Sequence, residues 1–179
     1  MLTVENSVLL VVDIQGKLAQ IMHDRDALFS NVKKMIKGAQ ILGVPIIWVE
    51  QNPQGLGPTV PEIRELLAGL SPVEKFSFSC WGEKSFVDEL KSLGRRQVLL
   101  AGIEAHVCIY QTAMDLMEGG VDVTVVADAV SSRTEQNRQI ALTRLAAEGA
   151  HISSTEMALF ELLRTAKHPR FREIARLVK

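Results

Sequence analysis

The sequence predicts a doubly wound α/β fold, a three-layer arrangement with six mostly parallel strands and helices on both sheet faces. Three observations carry this. Apolar runs such as Ser7–Val12 and Val44–Val49 are continuous rather than alternating, as expected of strands covered on both sides. Between the runs lie stretches with apolar residues at helical spacing. The connections are short, and right-handed crossovers between parallel strands then place helices on both faces.

The first strand, Ser7 to Val12, ends at Asp13. Asp24 stands where it would cap a long helix that buries Leu28, Val32, Met35, Ile36, Ala39 and Leu42 and stops at Gly43. Val44 to Val49 is the second strand, and it runs into the turn-rich stretch Glu50–Pro58, of the kind that often forms a binding loop. Pro61–Leu67 reads as a short helix and Ser71–Phe76 as a weak third strand carrying Lys75. A helix over Gly82–Leu93 turns Phe86, Val87, Leu90 and Leu93 inward, and Gln97–Ala101 is the fourth strand. A further helix is expected from Ile109 on. Val121–Ala127 is the fifth strand, Glu135–Glu148 a helix, and His151–Ser153 a short sixth strand. Thr155 is expected to cap a helix through Leu163, and a last amphipathic helix follows Pro169.

Composition narrows the function. The chain has 179 residues, enough for one domain spanning 1–179 with a sizeable core. Its net charge is −1 with acids and bases interspersed, which argues against a nucleic-acid footprint or a membrane-binding patch. There is no signal-peptide pattern at the N-terminus and no apolar run of spanning length. Two cysteines, Cys80 and Cys108, are too few for a disulfide framework. The expectation is a cytoplasmic protein with reduced thiols. The four histidines lie far apart and no CxxC or HxxxH spacing occurs, so neither a metal nor another cofactor is expected. Nucleotide binding, the default for this architecture, lacks its motifs: Asp13-Ile14-Gln15-Gly16-Lys17 has one glycine, and there is no Walker A sequence.

Ligands in doubly wound sheets bind beyond the carboxyl ends of the strands. Asp13, Lys75 and Cys108 all fall on that rim. Leu99–Cys108 reads as a strand, a tight loop and a cysteine where a helix begins. A thiol at a helix start meets free N–H groups and the positive end of the macrodipole, which predicts a lowered thiol pKa. Read alone, the same cysteine could be a small buried hydrophobe, Asp13 a loop cap and Lys75 a solvated lysine. An acid, an amine and a thiol on one rim point instead to a nucleophile with a base and a cation beside it.

Three stretches in this order, Leu9-Leu10-Val11-Val12-Asp13-Ile14-Gln15, Glu74-Lys75-Phe76-Ser77-Phe78-Ser79 and Gly102-Ile103-Glu104-Ala105-His106-Val107-Cys108, resemble the isochorismatase-like hydrolase family. Nicotinamidase and N-carbamoylsarcosine amidase are relatives within it. The resemblance covers essentially the whole chain. It implies a parallel sheet of order 3-2-1-4-5-6, an Asp13–Lys75–Cys108 triad, a homo-oligomer and a small-molecule substrate. It also implies a non-proline cis peptide joining Ile103 to Glu104, which would aim N–H groups near Glu104 and Ala105 at an oxyanion. Nicotinamidases carry an Asp-x-His metal motif where this chain has Glu50-Gln51-Asn52. Isochorismatases proper lack the cysteine.

Around the triad, Phe76, Phe78 and Trp81 are candidate apolar pocket walls, and Gln15 and Gln51 candidate polar substrate contacts. Cys80 reads as a buried or pocket-wall thiol, His106 as a structural or loop-ordering residue and Asp128 as a loop or capping residue. Two functions follow. One is a cysteine-nucleophile hydrolase of a small amide or related carbonyl compound, acting through an S-acyl-enzyme. The alternative is a non-enzymatic thiol-redox or small-ligand binding protein on the same scaffold.

Overall fold

The computed structural model describes residues 1–179. Six strands form one all-parallel sheet: β1 (Ser7–Val12), β2 (Ile46–Gln51), β3 (Val73–Lys75), β4 (Gln97–Ile103), β5 (Asp122–Ser131) and β6 (His151–Ser153). Their spatial order is β3-β2-β1-β4-β5-β6. The helices are α1 (Gly16–Gln20), α2 (Arg25–Leu42), α3 (Pro53–Leu56), α4 (Pro61–Arg64), α5 (Lys84–Ser92), α6 (Tyr110–Glu118), α7 (Glu135–Ala147), α8 (Thr155–Leu163) and α9 (Phe171–Val178). The direction of winding reverses between β1 and β4, so a switch point opens between the carboxyl ends of these two strands.

The continuous apolar strands serve two cores at once. In β1, Leu9 and Val11 join the core with Met35, Ile36 and Leu159, while Val8, Leu10 and Val12 join the core with Phe86, Leu100 and Leu116. Successive strand residues point to opposite faces, so a run apolar at every position is what two covered faces require. The helix stripe in α2 behaves as its spacing predicts, and Gly43 closes it at φ 72°, the left-handed conformation that glycine takes most easily.

Several local expectations shift. Asp24 takes a left-handed φ of 47° and makes no side-chain cap. Ser154, not Thr155, caps α8 by accepting from the Met157 N–H; Thr155 instead donates from its N–H and hydroxyl to Asp128 Oδ1. The loop after β2 contains the short helix α3. β5 runs four residues past its expected end, because the β4–β5 register shifts between Leu100 and Gly102 and pairing then resumes through Ser131.

Gly102 explains how the strand ends can crowd the switch point. It pairs with Val12 at φ 128°, and a Cβ there would lie 2.1 Å from the Val12 carbonyl oxygen. Only a residue without a side chain lets β4 approach β1 this closely, one residue before Asp13 on one strand and Ile103 on the other.

Candidate active site

Asp13 leaves β1 at the switch point with a left-handed φ of 54°. Lys75 ends β3 and pairs in register with Gln51 on β2. Both side chains are buried, at 2% and 0% exposure, and Lys75 Nζ lies 2.7 Å from Asp13 Oδ2. The contact is an ion pair by distance, and neither Asp13 oxygen makes a hydrogen bond of ordinary geometry; the Cys108 thiol and the Gln51 N–H are the other donors that approach it. A buried carboxylate with unspent acceptor capacity is costly unless the site uses it.

Lys75 is fixed from several sides. Its ammonium donates to Gln51 Oε1 (2.6 Å) and to the carbonyls of Ser77 (3.2 Å) and Phe78 (3.1 Å). Glu83 orders the loop that supplies those carbonyls, accepting from the N–H groups of Phe76 and Ser77 and from the Ser77 hydroxyl. Those three donors hold its carboxyl below the usual range. Burial opposes the charge on Lys75, but Asp13 and Cys108 outweigh it, so the lysine stays charged above its ordinary range.

Cys108 reaches the same point from a helical position other than the one its spacing predicts. Ala105–Ile109 is a π-helical turn leading into α6, so Cys108 sits inside the first turn of the helical segment and not at its start. The Ile103–Glu104 peptide is cis, as the resemblance implies. Cys108 is nearly buried at 8% exposure. Burial, and then the Asp13 charge, push its thiol up to about 12, and burial does the same to Cys80. The lowered pKa expected for a helix-start thiol is therefore reversed. Loss of water and a facing carboxylate outweigh the helix end and Lys75. Burial raises the Asp13 carboxyl too, against the lowering pull of Lys75.

Asp13, Gln51, Glu104 and Cys108 meet in a cavity of about 110 Å³ whose apolar walls are Leu18, Leu56, Phe78, Ile103 and Val107. A larger open groove, about 740 Å³, lies against α1 and α4 and shares none of these residues. Of the expected wall aromatics only Phe78 lines the small cavity. Phe76 is 71% exposed, because strand alternation turns it away from the side where Lys75 is buried. Trp81 packs over Gly119, where a Cβ would stand 2.8 Å from its ring, and lines a separate recess with Leu90 and Lys91.

Gln15 is also used differently from expectation. Every polar atom of the Gln15 amide is committed to backbone: Nε2 donates to Gln51 O and Gly57 O, and Oε1 accepts from the Gln51 N–H. Gln15 therefore braces the loop after β2 and offers nothing to a substrate. Gln51 does line the cavity, with its amide oxygen on Lys75 and its amide nitrogen on the Phe76 carbonyl. Glu50, where nicotinamidases have their metal motif, holds the Thr59 N–H at 2.7 Å. No group of three or more His, Cys, Asp or Glu side chains gathers to hold a metal.

Some site residues were not anticipated. The walls Leu18 and Leu56 come from α1 and α3, which meet because Gly16 lies against the Leu56 carbonyl, 2.1 Å from where a Cβ would be. His106 does order its loop, through Ser132 Oγ at 2.9 Å, and Glu104 is held by Arg133. The available signal for Ser132 and Arg133 was their place beyond the end of strand five, on the same rim as the triad.

Fold and site together define a doubly wound α/β protein with a buried acid, amine and thiol at the switch point of its sheet. Residues 7–157 match the isochorismatase domain, and the chain belongs to that family, with its hydrolase fold. It is 45% identical to isochorismatase domain-containing protein 2 of Danio rerio over 99% of this chain and 89% of that one. The MAR1 ribonuclease of Caenorhabditis elegans superposes with a TM-score of 0.92 at 38% identity, covering 99% of this chain and 91% of its own. The YcaC protein of Escherichia coli, described as an octameric hydrolase of unknown specificity, superposes with a TM-score of 0.92 at 27% identity, covering 98% and 88%.

Proposed function

We propose that this protein is a cysteine hydrolase of a small, neutral amide or similarly compact carbonyl compound, acting through an S-acyl-enzyme. The observation that carries the reading is the buried Asp13 carboxylate, beside the Lys75 ammonium and in one cavity with the Cys108 thiol that approaches it. With its pKa near 12 the resting thiol is neutral. Asp13 takes its proton as the sulfur attacks the carbonyl carbon, so thiolate character develops only in the transition state. Backbone N–H groups of the turn through Glu104, Ala105 and Cys108 receive the developing oxyanion. Lys75 holds the local charge balance while Asp13 is protonated. Asp13 then returns the proton to the leaving amine, and a water activated by the same carboxylate releases the acid.

The cavity supports a small substrate. Its walls are apolar, and with Lys75 paired to Asp13 and Arg133 paired to Glu104 it offers no spare cation to an anionic substrate. Lys75 is already spent on four oxygens. For the same reason RNA, the substrate class in the name of the C. elegans relative, is a poorer fit: a phosphodiester needs unspent cations around its charge. Self-association belongs to the same proposal, in keeping with the octameric E. coli relative. No helix is long and apolar enough to cross a membrane, and a cytoplasmic setting is proposed on the thiol content.

The test is a panel of neutral aliphatic and aromatic amides, isochorismate and single-stranded RNA, read by product release with intact-mass detection of the enzyme. Turnover of an amide with an acyl adduct on the protein, both lost in Cys108→Ala, is the expected result. Cleavage of RNA alone, faster turnover of isochorismate than of every amide, or a Cys108→Ala variant near the full rate would overturn the reading. Oxidised Cys108 without turnover of anything would favour the thiol-redox alternative.

A further inference from the structure

The turn between β5 and α7 takes no part in the chemistry above, yet it is tied to the nucleophile turn on two strings. Arg133 donates to Glu104 Oε2 from its backbone N–H (3.0 Å) and from Nε (3.2 Å). Ser132 Oγ meets His106 Nδ1 at 2.9 Å. The β5–α7 turn is itself anchored. The Ser131 hydroxyl donates to the His23 carbonyl (2.6 Å), the His23 N–H donates to the Ser132 carbonyl (2.8 Å), and Arg138 Nε donates to the Val130 carbonyl (3.1 Å).

Glu104 matters because it is a buried acidic residue that lines the same cavity as Asp13 and Cys108, with its carboxylate turned to Arg133. The groups that face the thiol from the packed elements are Asp13 at the end of β1, Lys75 on β3 and Cys80 in the turn before α5; Glu104 and His106 belong to its own turn. Asp13 has Lys75 to balance it. Glu104 has only Arg133, whose half-exposed side chain reaches in from the neighbouring turn. An unbalanced buried anion beside the cavity opposes both a thiolate and an oxyanion.

We propose that Arg133 is a positioning residue that acts through Glu104: its two donors hold and neutralise this carboxylate, and so set how readily Cys108 gives up its proton. A merely structural strap would tolerate any change that keeps the turn folded. A charge-balancing strap is sensitive to the sign of the charge at both of its ends. This inference rests on the cysteine-nucleophile reading, but it can be measured without a substrate.

The readout is the second-order rate of Cys108 alkylation by iodoacetamide at pH 9, followed by intact mass, with folding checked by circular dichroism. Arg133→Ala is expected to slow alkylation about tenfold, the equivalent of one pKa unit, while Arg133→Lys retains most of the rate. Adding Glu104→Gln to Arg133→Ala removes the unbalanced charge and restores the rate. Should Arg133→Ala fail to fold, Arg133→Gln takes its place, since it removes the charge and keeps a side-chain donor. An unchanged rate in the Arg133 variant, or a slow rate that Glu104→Gln leaves slow, overturns the inference. A wild-type protein that turns over no amide would instead defeat the proposed function and leave these rates interpretable.

Discussion

Lys75 Nζ lies 2.7 Å from Asp13 Oδ2, with both side chains closed off from solvent. A buried pair of this kind is poor value for stability, because desolvating two ions offsets most of their attraction. Its presence at the switch point of the sheet, beside a thiol, fits the proposed chemistry.

Removing one partner should therefore cost more than removing both. Lys75→Met leaves the Asp13 carboxyl buried without a cation and is expected to lower stability by about 3–5 kcal/mol. The Asp13→Asn/Lys75→Met double variant should lose clearly less than the sum of its single variants. Urea unfolding of the four proteins measures this, and strict additivity would show that the pair is not coupled.

Thiol reactivity should follow burial. With its pKa pushed up to about 12, Cys108 is expected to react slowly with iodoacetamide at pH 7 and progressively faster above pH 9. Cys80 has the same raised pKa and is fully buried, so it should stay unmodified until the protein unfolds. Rapid labelling of Cys108 at neutral pH, with a plateau below pH 8.5, would mean that the thiolate is the resting form.

The same two thiols make stability fall at alkaline pH. An unfolded cysteine loses its proton near pH 9.0, whereas the folded ones keep theirs to about 12. Between those values the folded state binds more protons than the unfolded state, so unfolding free energy drops as pH rises. One thiol fully shielded contributes a slope of about 1.4 kcal/mol per pH unit inside that window. Lys75, also raised, adds stability that is lost only as pH climbs through its folded pKa. Denaturation midpoints from pH 8 to 11 should therefore decline, and less steeply in Cys80→Ala. A flat profile would contradict the assignment.

Gly102→Ala tests the close approach of β1 and β4. The added Cβ would meet the Val12 carbonyl oxygen at 2.1 Å and the Val12 nitrogen at 2.7 Å, at a φ that disfavours side chains. The strands must part at the point that carries Asp13 and Ile103. A loss of about 1–3 kcal/mol from the backbone conformation alone is expected, with activity falling further than stability. A variant with wild-type melting temperature and rate would show that the strand ends have slack.

The apolar runs, the helical spacing of Leu28 through Leu42 and the position of Asp13, Lys75 and Cys108 after strand ends were legible from residues alone. They are short-range consequences of covering two sheet faces, and a strand end points its last residue at the rim whatever packs around it. Resemblance added the strand order and the cis peptide, and it implied the triad proposed above. The electrostatics were not legible, because desolvation depends on what closes over a group. By its spacing Cys108 reads as a thiol favoured by a helix end, and only the packed structure, which buries it and sets Asp13 beside it, decides that the thiol is raised instead. The uses of Gln15, Trp81 and Arg133 were decided the same way. A side chain's partners come from segments tens of residues away, such as Gly57 for Gln15, Gly119 for Trp81 and Glu104 for Arg133. Spacing along the chain carries no information about contacts that only the closed tertiary structure creates.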